Sequence, residues 1–437
     1  MNSKELYAIY EQHHCITTDS RDCPEGSIFI ALKGESFDGN QFAVTALEKG
    51  CAVAIVDDEQ VYHAYHGAGQ MILVPDTLQA YKDLAREHRR RFDIPVIAIT
   101  GTNGKTTTKE LVHAVLTERY DGMATEGNFN NDVGVPKTLL RLSVMDEIAV
   151  VEMGASHPGD IKTLAETAEP TCGLITNVGK AHLQGFGSLE GVIRTKGELY
   201  DNLATREGSV IFVNADNEYL IGILPKNVKA EYYTQDEGKT DALVYGQIIA
   251  CDPFLRLKWR STDGEWHEVN THLIGSYNLD NVLAAVTVGL HFEITPEQIC
   301  HALESYVPSN NRSQLTETEH NHLIVDAYNA NPTSMAAALD NFCMMEVSPK
   351  MAILGEMREL GDSSAEEHRR VVERLSTCHF DEVWLVGKEF KDIDCTYRKF
   401  DDVEQVKAAI AADRPEGRYI LIKGSNGTHL FQLPELL

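Results

Sequence analysis

The chain has 437 residues and a formal net charge of −27, and hydrophobic residues make up 43% of it. Nucleic acids and anionic membranes are bound mainly through clustered Lys and Arg, so this charge argues against both as partners. The length exceeds that of one ordinary domain and predicts about three domains.

Cysteine usage and the first residues indicate the compartment. The nine cysteines form no CxxC pair, and an odd number at irregular spacing is a poor disulfide framework. The N-terminal residues lack the apolar core of a signal peptide, and no later stretch approaches the roughly 18 apolar residues of a membrane span. The sequence therefore predicts a soluble protein of the reducing cytoplasm, without membrane insertion.

The first part of the chain predicts a small α/β unit. Short apolar runs alternate there with helical and turn-rich segments. The last helical segment runs into Ile94 and Pro95, and the residue before a proline is biased away from the helical region. We therefore expect an N-terminal domain over residues 1–93.

From Val96 the pattern changes to repeated strand, loop and helix. Near-continuous apolar runs of this kind are typical of parallel strands that are buried on both faces. Residues 243–275 interrupt the pattern and predict an antiparallel hairpin added to the sheet. A polar, turn-forming segment that begins at Pro308 predicts a second boundary. We expect a central domain with a mostly parallel sheet over residues 94–310 and a C-terminal, Rossmann-like α/β domain over residues 311–437.

The most informative motif is the loop GTNGKT that follows the first strand of the central domain. Gly101 and Gly104 let backbone N–H groups face a ligand without a Cβ in the way. Lys105 is placed to reach the β- and γ-phosphates of a nucleotide, and Thr106 is placed to bind Mg²⁺ at the N-terminus of the next helix. The motif departs from the Walker pattern GxxxxGK[ST] because Ile99 stands at its first glycine. A simple strand-to-helix turn is the alternative interpretation.

Three further residues are candidates for a metal site. Glu152 ends another predicted buried strand, where carboxylates of parallel sheets meet bound nucleotide and a phosphate-bound Mg²⁺. A cap on the next helix is its alternative role. His182 and Lys196 follow the next strand. A lone histidine is more often structural and a lone lysine is usually a solvated charge, so these two gain weight only from their context.

Several polar residues are compatible with either a ligand contact or a turn. Asn130 and Asn131 could donate to sugar hydroxyls or phosphate oxygens, but asparagine is equally typical of turns. Arg312, near the second boundary, could reach a γ-phosphate from another domain. Asp326 ends a strand and could accept hydrogen bonds from ribose hydroxyls.

Together these segments resemble the Mur ligases of peptidoglycan synthesis, over nearly the whole chain from about Ser20 to Gly427. The motif GTNGKT is shared with folylpolyglutamate synthases, whereas GNFNND, EMGASHPG and DAYNANPTSM are more specific. The matching segments are ITGTNGKTTT, GNFNNDVGVP, VVEMGASHPGDI, ITNVGKAHLQGFGSLEGVIRTKGEL, GSYNLDNVLAA, NNRSQ, DAYNANPTSM, and LGEMRELG followed by His368.

The resemblance implies an ATP-dependent carboxylate–amine ligase that uses Mg²⁺. Within the family, the motifs are most similar to those of the ligases that join D-alanyl-D-alanine to UDP-N-acetylmuramoyl-tripeptide through an acyl phosphate. We expect a monomer. Alternatives are another Mur-type or folylpolyglutamate-synthase-like amide ligase, and a nucleotide-dependent binding protein without catalysis. Whether L-lysine or diaminopimelate occupies the third position of the tripeptide stays open.

The resemblance also implies roles for individual residues. It implies a first Mg²⁺ at Thr106 and Glu152, and a second at His182 and a carbamylated Lys196. The implied catalytic residues are Lys105, His182, Lys196 and Arg312. The implied ATP-binding residues are Gly101, Thr102, Asn103, Gly104, Lys105, Thr106, Thr107, Asn281 for adenine, Arg312 for the γ-phosphate and Asp326 for the ribose.

The implied substrate contacts lie in two domains. They are Ser20, Arg21, Lys33 and Gly34 for the UDP portion, and Asn130 and Asn131 for the muramoyl or diphosphate portion. Lys423 and Ser425 are candidates for gripping the dipeptide, with a capping or turn role as the alternative. Two departures from the family pattern, Tyr277 in place of histidine and Ser156 in place of asparagine, affect local contacts and not the reaction class.

Overall fold

The computed structural model describes residues 2–34, 36–65, 67, 69–262, 264–308 and 314–437. The predicted boundary between residues 310 and 311 lies outside the described residues, as does Arg312. In the described part of the chain, no helix is long and apolar enough to cross a membrane. All nine cysteines fall within it, and all nine are free thiols.

The N-terminal part of the chain folds around a parallel sheet. Its helices and strands are α1 Ser3–His13, β1 Ile16–Thr17, β2 Ile28–Ile30, α2 Ala43–Glu48, β3 Val53–Val56, α3 Glu59–Ala64, β4 Met71–Leu73 and α4 Thr77–Arg89. The four strands lie in the order β1-β2-β3-β4, and every neighbouring pair is parallel. Asp76 caps α4 by accepting a hydrogen bond from the Gln79 N–H, and α4 packs on α1.

The central part of the chain contains the largest sheet. Its first elements are β5 Val96–Thr100, α5 Lys105–Leu116, β6 Gly122–Ala124, α6 Gly134–Leu139, β7 Ile148–Glu152, α7 Asp160–Ala168, β8 Cys172–Ile175, α8 Leu183–Phe186 and α9 Leu189–Ala204. The remaining ones are β9 Val210–Asn214, α10 Glu218–Gly222, β10 Lys229–Thr234, β11 Val244–Cys251, β12 Phe254–Ser261, β13 His267–Ile274, α11 Asn278–His291 and α12 Pro296–Ser305.

The strand order of this sheet explains where a ligand can bind. The order is β13-β12-β11-β10-β9-β8-β5-β7-β6. After β5, the chain forms β6 and β7 on one side of β5 and then crosses to form β8 on the other side. The two strands next to β5, which are β7 and β8, are both parallel to it. In open parallel sheets, such a reversal of strand order leaves a crevice at the carboxyl ends of the strands. The loops after β5, β7 and β8 meet there.

Alternate residues of β5 are buried against different helix layers. Ile97 and Ile99 belong to the apolar cluster that includes α5 and α11. Val96 and Ala98 belong to the cluster that includes α7 and α9. Burial of each large aliphatic side chain contributes about 1.5–3 kcal/mol, so β5 is held rigidly between two layers. The loop that follows it therefore starts from a fixed point.

The C-terminal part of the chain forms a third α/β unit. Its elements are β14 Gln314–Glu317, β15 His322–Asp326, α13 Pro332–Met344, β16 Lys350–Gly355, α14 Ser364–Leu375, β17 Glu382–Val386, β18 Arg398–Phe400, α15 Val403–Ala412 and β19 Tyr419–Lys423. The strand order is β14-β15-β19-β16-β17-β18, with β14 antiparallel to β15 and the other pairs parallel.

The predicted α/β fold with mostly parallel sheets is confirmed. The antiparallel hairpin expected over residues 243–275 corresponds to β12 and β13, and β11 adds a third antiparallel strand on the other side of β12. The three sheets follow one another along the chain as the three predicted units. The domain limits at residues 93 and 310 stay predictions.

His88 on α4 joins the first unit to the central one through two hydrogen bonds. The Leu142 carbonyl lies 2.9 Å from its Nε2 and can only accept, so Nε2 carries the proton. Its Nδ1 then accepts from the Tyr7 hydroxyl at 3.0 Å. The neutral ring is thus satisfied on both sides. Burial lowers the pKa of His88, and the neighbouring positive charge of Arg91 acts in the same direction.

We expect acid to weaken the fold partly through His88. The pKa of His88 in the folded state lies below its value of about 6.5 in the unfolded chain. At a pH between these two pKa values, the unfolded chain therefore binds more protons than the folded one. The stabilisation is complete above about pH 6.5 and declines as the pH falls through the folded pKa. Urea unfolding at pH 7 and pH 5 should show a smaller decline for His88→Gln than for the wild type. An equal decline in both proteins would contradict this assignment.

Candidate functional site

The phosphate loop, residues 101–104 between β5 and α5, requires both of its glycines. Gly101 has φ 144° and Gly104 has φ 78°, a region that side-chain-bearing residues rarely adopt. A Cβ on Gly101 would lie 2.0 Å from Thr176 Oγ1, and one on Gly104 would lie 2.5 Å from Asn281 Oδ1. The loop is therefore packed directly against the loop after β8 and against α11.

Gly101→Ala should reduce both stability and nucleotide affinity. The left-handed backbone and the clash with Thr176 together cost about 1–3 kcal/mol of unfolding free energy. Gly222→Ala is the matched control, because nothing lies within 4 Å of the added Cβ at the end of α10. That control should change stability by less than about 1 kcal/mol. Denaturant unfolding and calorimetric ADP titration measure both effects, and equal behaviour of the two variants would contradict the packing argument.

The loop after β8 fixes the backbone of the phosphate loop. The Asn103 N–H donates to Asn177 Oδ1 at 3.0 Å, and the Thr102 N–H donates to the Asn177 carbonyl at 2.9 Å. The Asn103 carbonyl accepts from Thr176 Oγ1 at 2.6 Å and from Asn177 Nδ2 at 3.0 Å. These two N–H groups therefore point into the protein, and other donors must meet a phosphate.

Donors for a phosphate lie at the start of α5. In the described part of the chain, the N–H groups of Gly104 and Thr106 have no hydrogen-bond partner. Unpaired N–H groups at a helix N-terminus attract anions. The Lys105 ammonium donates to the carbonyls of Gly101 at 2.9 Å and Thr102 at 3.0 Å, so it lies over the same loop. This arrangement suits a polyphosphate.

Glu152 is a buried carboxylate at the end of β7, only 1% exposed. Its Oε2 accepts from Thr106 Oγ1 at 2.8 Å, and its Oε1 accepts from Asn130 Nδ2 at 2.8 Å. Both partners are neutral, and no ion pair of this carboxylate is found among the described residues. A hydroxyl and a carboxylate beside a phosphate site fit Mg²⁺, which prefers few protein oxygen ligands together with phosphates and water. No group of three or more His, Cys, Asp or Glu side chains forms a metal cluster in the described part of the chain.

Lys196 lies on α9 and is 2% exposed. No hydrogen bond or ion pair of its ammonium is found among the described residues, and its recorded neighbour is the Phe186 ring, 5.6 Å away. Burial lowers the pKa of Lys196 well below its usual range, and the positive charge of Lys105 lowers it further. The charged form is therefore disfavoured, and the neutral amine is nucleophilic.

His182 caps α8 with left-handed backbone, φ 49°. Its Nδ1 contacts a carboxylate oxygen of Glu359 from the third unit, in an ion-pair contact without hydrogen-bond alignment. Burial lowers the pKa of His182, Glu359 opposes that shift, and the charges of Lys105 and Lys196 add to it. In its neutral form, which the lowered pKa favours, the imidazole can bind a cation through a nitrogen lone pair.

In the third unit, two of the predicted contacts pair with each other. Lys423, 1% exposed at its side chain, donates to Asp326 Oδ2 at 2.5 Å. Ser425 is bound within the unit, because its Oγ accepts from the Arg358 N–H at 3.0 Å.

In the central unit, Asn281 Oδ1 accepts from the Thr108 hydroxyl at 3.0 Å, and this hydrogen bond joins α11 to α5. Asp326, Lys423 and Asn281 line the cavity described next.

A cavity of about 840 Å³ lies between the central and third units. The predicted residues that line it are Thr102, Asn103, Gly104, Lys105, Thr107, Asn130, Asn131, Glu152, His182, Asn281, Asp326 and Lys423. Tyr277 and Ser156, the two departures from the family pattern, line it as well. Gly101, Thr106, Lys196 and Ser425 lie outside this lining, and Arg312 is outside the described residues.

The predicted UDP contacts lie in the N-terminal unit, and none of them lines the large cavity. Arg21 is paired with Asp19 at 2.7 Å, and Lys33 is paired with Asp57 at 2.9 Å. The Ser20 carbonyl accepts from Lys49, and the Gly34 N–H donates to the Phe37 carbonyl. Asn131 Oδ1 accepts hydrogen bonds from the Val133 and Gly134 N–H groups just before and at the start of α6.

Three residues at the site were missed from the sequence. Asn177 anchors the phosphate loop, and its position just after a buried strand was the available signal. Asn331 contacts that loop from the third unit, with Nδ2 2.7 Å from Asn103 Oδ1. Glu359 contacts His182. The last two are distant in sequence from their partners, and no local pattern indicates the pairing.

Comparison with family models covers each of the three units. Residues 12–89 match the Mur ligase family, catalytic domain. Residues 99–289 match the Mur ligase middle domain. Residues 311–426 match the Mur ligase, glutamate ligase domain.

Two curated relatives are similar over most of their length. A protein of Bacillus subtilis strain 168, named UDP-N-acetylmuramoyl-tripeptide–D-alanyl-D-alanine ligase, is 35% identical, covering 97% of this chain and 93% of that relative. The Escherichia coli K12 protein of the same name is 31% identical, covering 86% of this chain and 81% of that relative.

Solved structures are also similar to this chain. MurF from Acinetobacter baumannii superposes with a TM-score of 0.87 at 31% identity, covering 96% of this chain and 92% of that one. MurF ligase from Thermotoga maritima, solved in complex with ADP, has a TM-score of 0.86 at 26% identity and covers 97% of both chains. Folylpolyglutamate synthase from Mycobacterium tuberculosis, at 15% identity and a TM-score of 0.63 over 82% of this chain and 93% of that one, shares the fold alone. The chain belongs to the Mur ligase family.

Proposed function

We propose that the chain is an ATP-dependent ligase that joins D-alanyl-D-alanine to UDP-N-acetylmuramoyl-tripeptide. Relatives that carry this name match the chain over nearly its whole length. The observation that carries the proposal is the meeting of the phosphate loop, Glu152 and His182 on one cavity with Asp326 and Lys423 of the third unit. The phosphate loop and residues of a second domain thus line the same cavity, as a ligase requires.

The reaction begins with the terminal carboxylate of the tripeptide. A carboxylate oxygen attacks the γ-phosphorus of ATP, the bond to the β-phosphate oxygen breaks, and ADP leaves. The product is an acyl phosphate. The free amine of the dipeptide attacks its carbonyl carbon, and the tetrahedral intermediate loses a proton and expels inorganic phosphate to leave the amide. One ATP is consumed for each amide bond.

The first step brings two anions together, so the site must supply positive charge. The Lys105 ammonium and the unpaired N–H groups of Gly104 and Thr106 are placed for the phosphates. Thr106 and Glu152 would hold a first Mg²⁺, and His182 with a modified Lys196 would hold a second. Bound Mg²⁺ neutralises phosphate charge and holds the in-line geometry. Water must be kept away from the acyl phosphate during the reaction, because it would hydrolyse this intermediate.

The environment of Lys196 supports its carbamylation. A neutral amine adds to CO₂, a C–N bond forms, and one proton is released to give an anionic carbamate. Burial and the charge of Lys105 lower the pKa of Lys196 against the opposing effect of Asp160 and Glu198, which favours the neutral form that adds to CO₂. The carbamate would convert a buried, unpartnered amine into an anion that faces the charges of Lys105 and the second Mg²⁺.

The remaining roles extend over all three units. We assign the adenine to Asn281, the ribose to Asp326 and the γ-phosphate contact from the third unit to Arg312. We assign the UDP portion to Ser20, Arg21, Lys33 and Gly34, and the dipeptide to the region of Lys423 and Ser425. Ser425 is bonded internally, so its contribution would be to hold Arg358 rather than to touch the dipeptide. We infer a cytoplasmic location from the expected use of ATP and UDP-linked precursors.

An amine panel tests the proposal against its rivals. The purified chain receives ATP, Mg²⁺ and UDP-muramoyl-tripeptide with either L-lysine or diaminopimelate, together with D-alanyl-D-alanine, glutamate or a diamino acid. We expect amide product and ADP in equal amounts with D-alanyl-D-alanine. Product with glutamate or a diamino acid alone would indicate a different ligase. ADP release that is independent of every amine, without product, would favour a binding protein that does not ligate.

A further inference from the structure

The third unit contacts the phosphate loop directly through one side chain. Asn331 Nδ2 donates to Asn103 Oδ1 at 2.7 Å, and the two residues are separated by 228 positions in sequence. Asn331 also caps α13, because its Oδ1 accepts from the Ser334 N–H at 2.9 Å. A backbone N–H can only donate, so this cap fixes the orientation of the amide and directs its NH₂ group at the loop.

Asn103 is held from two sides. Its backbone N–H and carbonyl are bonded to Asn177 and Thr176 of the central unit. Its side-chain oxygen is bonded to Asn331. The phosphate loop therefore keeps its shape partly through the central sheet and partly through the third unit. Asn331 is 6% exposed and Asn103 is half-buried, so the bond between them is partly shielded from competing water.

We propose that Asn331 is a positioning residue that couples docking of the third unit to the ATP-binding form of the phosphate loop. The inference rests on the proposed function, because it assigns a role within ATP-dependent ligation. When the third unit is docked, the hydrogen bond between Asn331 and Asn103 holds the phosphate loop. Asn103 lies in that loop between Gly101 and Gly104, both of which have left-handed backbone. ATP binding and docking of the third unit then favour each other through this pair.

A second contact between the same units provides the control. Lys180 pairs with Glu367 of α14 at 2.9 Å through its side chain. The phosphate loop is bonded instead to the neighbouring Gly179 backbone, which Lys180→Met does not change. Glu367 also pairs with Arg370 at 2.9 Å, so Lys180→Met leaves it with a partner. Lys180→Met weakens docking without touching Asn103. Asn331→Ser keeps the helix cap, since serine is a good N-cap residue, and is too short to reach the loop.

The test is a double-mutant cycle with Asn331→Ser, Asn103→Ala and the double variant in the full chain. We expect each single change to raise the KM for ATP about tenfold, and the double variant to resemble either one. The KM for UDP-muramoyl-tripeptide should change less than about twofold, because its UDP contacts lie in another unit. A merely structural role would lower kcat and leave both KM values unchanged. Lys180→Met combined with Asn103→Ala should give multiplied effects.

Two results would overturn the inference. One is a KM for ATP in Asn331→Ser within about twofold of the wild type, and the other is multiplied effects in the double variant. The same cycle can be measured as ADP affinity by calorimetry, which does not need turnover. Thermal unfolding of each variant checks that it is folded. If the wild type makes no amide, the proposed function fails, while the ADP cycle still decides whether Asn331 and Asn103 are coupled.

Discussion

Replacing Lys196 by alanine is expected to lower ligation about a thousandfold, and added bicarbonate should not restore it. The buried amine has no polar partner among the described residues, and its pKa is lowered by burial and by Lys105. Its proposed purpose is to carry CO₂ as an anionic metal ligand. Without it, the second metal position loses its negative charge, and the two anions of the first step are poorly neutralised.

Two control variants distinguish loss of the carbamate from a general effect of charge or packing. Lys196→Arg keeps a long cationic side chain that does not form a carbamate, and it should be as inactive as the alanine variant. Lys162→Ala removes a lysine on α7 whose side chain is 68% exposed, and it should leave the rate unchanged. With ¹³CO₂, wild-type protein should show a carbamate carbon resonance that Lys196→Arg lacks. Undiminished turnover in Lys196→Ala would refute the assignment.

Glu152→Gln is expected to lower kcat about a hundredfold and to raise the Mg²⁺ concentration needed for half-maximal activity. The change removes a charge and keeps the shape. The carboxylate is 1% exposed, and both its oxygens are bonded to the neutral groups of Thr106 and Asn130. Glutamine can still bond to these partners, so the fold should survive while the first cation site loses its anion.

Glu147→Gln is the matched control for this change. Glu147 lies just before the opposite end of the same strand, β7, and is exposed. Its carboxylate accepts from the Asp121 N–H at 3.0 Å, far from the phosphate loop. The control should bind Mg²⁺ and turn over as the wild type does. If the two variants behave alike in a Mg²⁺ titration, Glu152 does not hold the metal.

The parts of the site that local sequence encodes could be predicted. Gly101 and Gly104 are required by backbone conformation and close approach, and Glu152 ends a buried strand, so each signal lies within a few residues. The burial of Lys196 could not be read in this way. That burial depends on the packing of α9, and the lowered pKa of Lys196 depends in addition on Lys105, which is far away in sequence.

The same distinction holds for the fold. Long buried strands such as β5 and β7 were predicted because their apolar runs are nearly continuous. The short strands β1 and β18 were missed because no apolar run marks them. Contacts between units, such as Asn331 with Asn103, depend on tertiary docking and have no sequence signature.

Transfer of oxygen from the tripeptide to phosphate tests most directly whether this site activates a carboxylate with ATP. UDP-muramoyl-tripeptide labelled with ¹⁸O in its terminal carboxylate is incubated with ATP, Mg²⁺, D-alanyl-D-alanine and the purified chain, and the released phosphate is analysed by mass spectrometry. An acyl phosphate predicts one ¹⁸O atom in each phosphate released and one retained in each amide. Amide product accompanied by unlabelled phosphate would contradict the proposed mechanism.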